Sequence, residues 1–132
     1  MNKSTFNCPC GLPKHYLDCC GLIHNNVKLA TSPELLMRSR YTAFTKANIE
    51  FLMLSWHKST RPIKDKKEIE QWAKSVSWIK LEVLSSKLNA NNSKIGYVEF
   101  KAFYYENGAV QTIEEHSKFT FENDQWYYLN AI

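Results

Sequence analysis

The residues of this sequence best suited to chemistry are its four cysteines, all confined to one stretch: Cys8-Pro9-Cys10, eight further residues, then Cys19-Cys20-Gly21. Thiolates are soft ligands, and four of them close a tetrahedral zinc site with no position left open for reaction. Two other readings of the same residues exist. Four cysteines could form two disulfides in an oxidising compartment, or remain reduced and idle. The N-terminal Met-Asn-Lys-Ser-Thr-Phe lacks the apolar segment of a secretory leader, and a cluster this local staples nothing distant together. Metal binding fits better, because about a dozen residues cannot bury enough apolar surface to order themselves and ligation must supply the folding energy. Pro9 and Gly11 stiffen and then turn the chain around Cys10, Gly21 permits a turn after Cys20, and Lys14 and His15 bring positive charge towards a dianionic centre. His15 and His24 are the side chains that could replace one thiolate. A saturated centre leaves no catalytic thiol.

A second constellation is polar and dispersed. Arg40, Tyr41, Trp56, His57, Glu99 and Glu115 are the candidates for a shared cluster lining a pocket, with His57 and a carboxylate as an acid/base pair. The plainer reading has Arg40 paired with a glutamate at the margin of the core and His57 capping a loop. Trp56, Trp72, Trp78 and Trp126 read first as core. No residue is assigned a catalytic role. Dinucleotide-binding glycine loops, Walker loops, zinc-protease helices and nucleophile elbows have no match here.

The elements that must position these residues change character along the chain. Thr31 or Ser32 can cap a helix with Pro33 and Glu34 in its first turn, and Met37, Tyr41 and Phe44 fall on one helical face with Arg40 at its edge. Residues 48–54 continue as a second helical piece, 56–62 read as a loop, and 65–74 as a third helix with Ile69, Trp72 and Ala73 inward. Lys64, Lys66, Lys67 and Lys74 form a solvated face. From Trp78 the chain turns to strands, 78–84, 95–105, 111–122 and 126–130, rich in β-branched and aromatic residues and separated by turn signals at 89–93, 106–108 and 122–124. Helices followed by four adjacent strands predict an α+β fold with an antiparallel sheet. Strand alternation sets Tyr97, Glu99, Lys101 and Phe103 against Val98, Phe100, Ala102 and Tyr104.

At 132 residues, with 44% hydrophobic and 14% aromatic content, the chain suits one globular domain with a modest appendage. Its apolar runs fall short of the roughly 20 residues that span a bilayer, and the expected location is the cytoplasm. The net charge of +4 is mild, and four thiolates around a divalent ion lower it further, so charge gives almost no support to a nucleic-acid partner.

The segment Cys8-Pro-Cys-Gly-Leu-Pro-Lys-His-Tyr-Leu-Asp-Cys-Cys-Gly21 resembles the SEC-C motif, first known from the C-terminal tail of the SecA translocation motor. Ser32-Pro-Glu-Leu-Leu-Met-Arg-Ser-Arg-Tyr-Thr-Ala-Phe44 and Ser55-Trp-His-Lys-Ser-Thr-Arg-Pro62 resemble the YchJ family. Val98-Glu-Phe-Lys-Ala-Phe-Tyr104, Glu115-His-Ser-Lys-Phe119 and Trp126-Tyr-Tyr128 follow in the same order. The resemblance implies a SEC-C-like zinc knuckle over residues 1–26 and a nuclear-transport-factor-2-like cone over 31–132. Because only residues 8–20 depend on metal and the core signals all lie after residue 32, the two are expected to fold separately. The resemblance implies little about activity. Two departures matter: the turn after Cys10 reads Gly11-Leu12-Pro13-Lys14 rather than Gly-Ser-Gly-Lys, and one knuckle is expected where many relatives carry a second SEC-C copy.

Three functions are compatible with these readings. The first is a binding module whose knuckle docks a protein, as the SEC-C knuckle of SecA contacts a secretion chaperone, while the cone supports it or holds a small ligand. The second is a small enzyme using His57 or a buried glutamate in the cone. The third is RNA or ribosome contact through Lys3, Lys14 and His15. All three share the metal, so purified protein should carry one zinc per chain, lost in Cys8→Ser and Cys19→Ser. Undiminished zinc in both variants contradicts the assignment.

Overall fold

The computed structural model describes residues 7–132, and Lys3 lies outside them. Four α-helices are followed by four strands: α1 (Cys20–Asn25), α2 (Pro33–Thr45), α3 (Ile49–Ser55), α4 (Lys66–Ser75), then β1 (Ser77–Asn89), β2 (Asn92–Glu106), β3 (Ala109–Glu122) and β4 (Gln125–Ala131). Short 3-10 turns at Tyr16–Asp18, Val27–Leu29 and Ile63–Asp65 fill the connections. The strands form one antiparallel meander in the order β1-β2-β3-β4, the arrangement expected when each strand reaches the next through a tight turn. Two of the turns are set by left-handed residues, Asn107 with Gly108 (φ 55° and 79°) and Asn123 with Asp124 (φ 53° and 60°), the backbone that matches hairpin twist.

Local chemistry starts and stops the helices as the sequence indicates. Ser32 caps α2, its Oγ accepting from the Leu35 amide at 3.1 Å with Pro33 in the first turn. Asn48 caps α3 through Oδ1 on the Phe51 amide, 3.1 Å away. β1 runs longer than the 78–84 read from sequence, to Asn89. Its second half has only exposed or half-buried residues, so no burial pattern marked it, and pairing with β2 holds it.

The core lies between the helices and one sheet face. Val98, Phe100 and Ala102 of β2 and Ser117 and Phe119 of β3 are buried on that face, as their alternation requires. From the helical side come Leu36, Met37 and Tyr41 of α2 and Phe51, Leu52 and Met53 of α3. α2 is enclosed on more than one side. Ser39, Thr42 and Ala43 are each 0% exposed and Arg40 is 3% exposed, so Arg40 sits inside the fold rather than at the edge of an apolar stripe. Ile23 and Val27, just after the cysteines, belong to this same core.

The sheet and α2 approach closely at Gly96 in β2, where a Cβ would lie 2.4 Å from Pro33 Cγ. Gly96→Ala must therefore push the start of α2 off the sheet, and should cost about 1–3 kcal/mol in denaturant unfolding. An unchanged midpoint would show that this contact is slack.

Candidate functional site

The four cysteines converge. Their Sγ atoms all lie within 4.8 Å of one another, with Cys10 and Cys19 at 3.7 Å, and all four are buried and unlinked by disulfides. The fold brings them together by two devices. An antiparallel bridge between Asn7 and His15 and the Cys8 amide donating to the Lys14 carbonyl at 2.7 Å close a loop that presents Cys8 and Cys10. Gly11 turns that loop with φ +97°. The start of α1 then presents Cys19 and Cys20. Gly21 is the second residue of that helix rather than a turn after Cys20. Its role is close approach, since a Cβ there would stand 2.7 Å from the Tyr16 carbonyl oxygen.

A tetrahedron of sulfurs about 2.3 Å from a central ion has edges of about 3.8 Å, so this separation suits a tetrahedral thiolate centre and the residues fit a metal ion. The electrostatics agree. Hydrogen bonding from the Cys10 and Cys20 thiols holds the Cys8 thiol far below its ordinary pKa. The Cys20 thiol is driven far above its own, first through its hydrogen bonds with Cys10 and Cys8 and then by burial. Sulfurs this crowded share few negative charges among themselves, and a cation is what lets all four ionise. Neither histidine joins them. His24 spans Tyr16 and α2, its Nε2 donating to the Ser39 carbonyl and its Nδ1 accepting from the Tyr16 hydroxyl, each at 2.8 Å. That pairing fixes the neutral tautomer, and burial lowers the ring's pKa in agreement. His15 caps the next turn, with Nδ1 3.2 Å from the Leu17 amide.

Two residues that sequence reading passed over bind the cluster to α2. Thr42 Oγ1 donates to Cys20 Sγ at 3.3 Å and stands 3.8 Å from Cys8 Sγ. Arg38 donates to the Cys10 carbonyl at 2.7 Å while pairing with Glu34. A threonine within a helix and an i,i+4 ion pair carry no mark of such duties.

The second site is a cavity of about 150 Å³ between α2, α4 and the sheet. Of the six expected pocket residues, Arg40, Tyr41, Trp56 and Glu115 line it. Its remaining walls are Met37, Phe44, Trp72, Trp78, Phe100, Ala102, Ile113 and Tyr128. Tyr41, Phe44, Trp72, Trp78 and Tyr104 form one aromatic array of edge-to-face and tilted pairs, with centroids 5.3–6.3 Å apart. Three tryptophans read as core, at 56, 72 and 78, are thus partly buried cavity walls.

Glu99 and His57 lie elsewhere. β2 pairs Glu99 with His116 and Phe100 with Glu115, so Glu99 projects from the sheet face opposite to Glu115. His57 follows Trp56 out of the core, its amide donating to the Tyr128 carbonyl at 2.8 Å. Its carboxylate partner is Glu122, with Nε2 2.8 Å from Oε2, and its Nδ1 accepts from Ser59, from Oγ at 2.7 Å and from the amide at 3.1 Å. One lone pair shared between two donors of the same residue closes a turn and leaves His57 no free base nitrogen.

Arg40 has no direct carboxylate partner among the described residues. Its Nη1 donates to the Leu52 carbonyl at 3.0 Å and to Ser55 Oγ at 2.7 Å. Its guanidinium carbon lies 4.7 Å from the Trp56 ring centroid and 4.5 Å from that of Tyr128, within cation–π range. The Tyr128 hydroxyl donates to Glu115 Oε2 at 2.9 Å, and Ser117 Oγ donates to the same oxygen at 2.6 Å. Burial pulls Arg40 down to about 10, opposed by Tyr128 and Glu115, so it remains charged at neutral pH. Burial, then the Glu115 charge, raises Tyr128 well above the usual phenol value, which keeps its hydroxyl a donor.

The comparisons agree with the fold and with the cysteine segment. The profile of the family described as "YchJ, middle NTF2-like domain" matches residues 32–131, and the chain belongs to the YchJ family. It is 40% identical to a UPF0225 protein of Shewanella sp. (strain MR-4), over 92% of this chain and 77% of that one. It is 36% identical to a UPF0225 protein of Vibrio parahaemolyticus, over 95% and 74%. A SEC-C motif containing protein from Rhodopseudomonas palustris superposes with a TM-score of 0.85 at 31% identity, covering 96% of this chain and 97% of the other. A second, from Psychrobacter arcticus, does so at 0.82 and 30%, covering 98% and 84%. Among the described residues no helix is long and apolar enough to cross a membrane.

Arg40 ties α2 to α3 and to the aromatic wall, so Arg40→Ala should cost about 2–4 kcal/mol through the void and the lost hydrogen bonds to Leu52 and Ser55. Arg40→Lys keeps the charge but lacks the planar stack, and should recover less than half of that. Full recovery by lysine in denaturant unfolding would show that charge alone matters.

Proposed function

We propose that this protein is a zinc-dependent binding module in which the cysteine cluster fastens the N-terminal segment to α2 and the aromatic cavity holds a small organic ligand. Zinc is the metal favoured by four clustered thiolates with no open position. The observation that carries the ligand reading is the cavity itself: about 150 Å³, walled mainly by aromatic rings, with a buried arginine and a glutamate on its lining. Ligand sites are apolar concavities with a few convergent polar groups, and a volume of this order accepts one six-membered ring. Reduced thiols around a metal suit the cytoplasm.

A second activity, docking of a protein on the knuckle, is favoured by Leu17 and Leu22. They flank the cysteines and are 63% and 48% exposed, apolar side chains that the module's own core leaves uncovered. Lys14 and His15 are exposed beside them, which keeps RNA contact a weaker alternative.

Small apolar rings should perturb the amide resonances of α2, α4 and β2 in heteronuclear NMR titrations. Benzene, toluene, 2-pyridone and benzoate all failing to do so at millimolar concentration would remove the ligand reading. Leu17→Ser with Leu22→Ser should leave those titrations unchanged while abolishing any protein docking by the knuckle.

A further inference from the structure

The cavity's polar groups are incompletely used, and the unused ones specify a ligand class. Arg40 is 3% exposed, yet only its Nη1 has hydrogen-bond acceptors among the described residues. Its Nε and Nη2 donate to none of them. Gln125 Nε2 is the only fully buried side-chain nitrogen or oxygen without a partner among those residues. The spare Arg40 donors are therefore not sealed into protein, and Arg40 is one of the residues that line the cavity. Glu115 is the counterpart: Oε2 takes both of its hydrogen bonds, from Ser117 and Tyr128, and Oε1, on a residue of the same lining, accepts from none of the described residues.

Resting on the ligand-binding reading above, we infer that the cavity recognises a flat, uncharged single ring carrying a carbonyl beside an N–H, a lactam edge. Arg40 Nε and Nη2 would donate to the carbonyl, and Glu115 Oε1 would accept from the N–H. Charge selects this class over a carboxylate. The lining already holds one cation and one anion, and a second anion brought into an aromatic, weakly polar space would be left uncompensated beside Glu115. Shape selects a flat ring, because Tyr41, Trp56, Trp72 and Trp78 present faces and edges that pack against planes. Hydrogen-bond count selects two polar atoms, since an apolar ring alone would strand the Arg40 donors once water is displaced.

The test is a set of NMR titrations of the full chain in its zinc-loaded form with three probes of similar size: 2-pyridone, benzoate and toluene. The expected order is 2-pyridone at least about tenfold tighter than toluene, with benzoate weaker than 2-pyridone. In Glu115→Gln the lining loses its anion while Arg40 is untouched, so benzoate should gain at least about fivefold relative to 2-pyridone. Toluene binding as well as 2-pyridone would overturn the lactam assignment while leaving the cavity a ligand site, and so would benzoate binding tightest to the unaltered chain. A benzoate to 2-pyridone ratio unmoved in a folded Glu115→Gln protein would overturn the charge argument. Binding of none of the three would remove the underlying ligand reading itself.

Discussion

A guanidinium enclosed by protein governs the layout of this fold. Arg40 leaves α2 and reaches the C-terminal end of α3 through Leu52 and Ser55, the chain beyond through Trp56, and β4 through Tyr128. An enclosed cation without hydrogen bonds would cost several kcal/mol, so these partners must be held where they are. Ser55 Oγ itself donates back to the Phe51 carbonyl at 2.7 Å, which locks the acceptor in place. Tyr128 connects Arg40 to Glu115 without direct contact between the charges, and Glu115 is fixed by Ser117. The cavity keeps its shape because its wall is a network in which each polar member is oriented by the next.

α2 serves a second neighbour from its other flank. Thr42, two residues beyond Arg40, meets Cys20 and Cys8, and Arg38, two residues before it, holds the Cys10 carbonyl. Successive even positions of one helix thus alternate between cysteine segment and cavity, which a helix can do only when buried on opposite sides. The contacts give the cysteine segment a direct influence on the helix that carries the cavity's cation. Ile23 and Val27 extend that influence by contributing to the common core.

Much of this was legible in the sequence, for reasons that can be named. The cysteine spacing is a local pattern with few alternatives, and Ser32-Pro33-Glu34 and Asn107-Gly108 are local backbone signals. Alternation set Val98, Phe100 and Ala102 on the face opposite to Tyr97, Glu99 and Lys101, and burial shows the first set to be the inward one. What failed depended on register and on burial from several sides. Glu99 and Glu115 looked equivalent on neighbouring strands, but the pairing of Phe100 with Glu115 separates them by the thickness of the sheet. Arg40 looked marginal because an arginine beside an apolar stripe usually is, and the layer that closes over it comes from α3 and β4. His57 was joined to the wrong carboxylates, since Glu122 lies 65 residues away beyond any local rule. Thr42 and Tyr128 gave no signal, because a helical threonine and a strand tyrosine are ordinary residues until their neighbours are known.

The central claim is that Arg40 keeps Nε and Nη2 for a ligand. It is tested most directly by following the Arg40 Nε–H resonance of 15N-labelled protein while 2-pyridone and then toluene are added. With 2-pyridone that resonance should shift downfield and its exchange with water should slow, as a new acceptor meets the proton; with toluene no new acceptor should be seen. An Nε–H already protected from exchange before any addition, and unmoved by 2-pyridone that binds the cavity, would contradict the account.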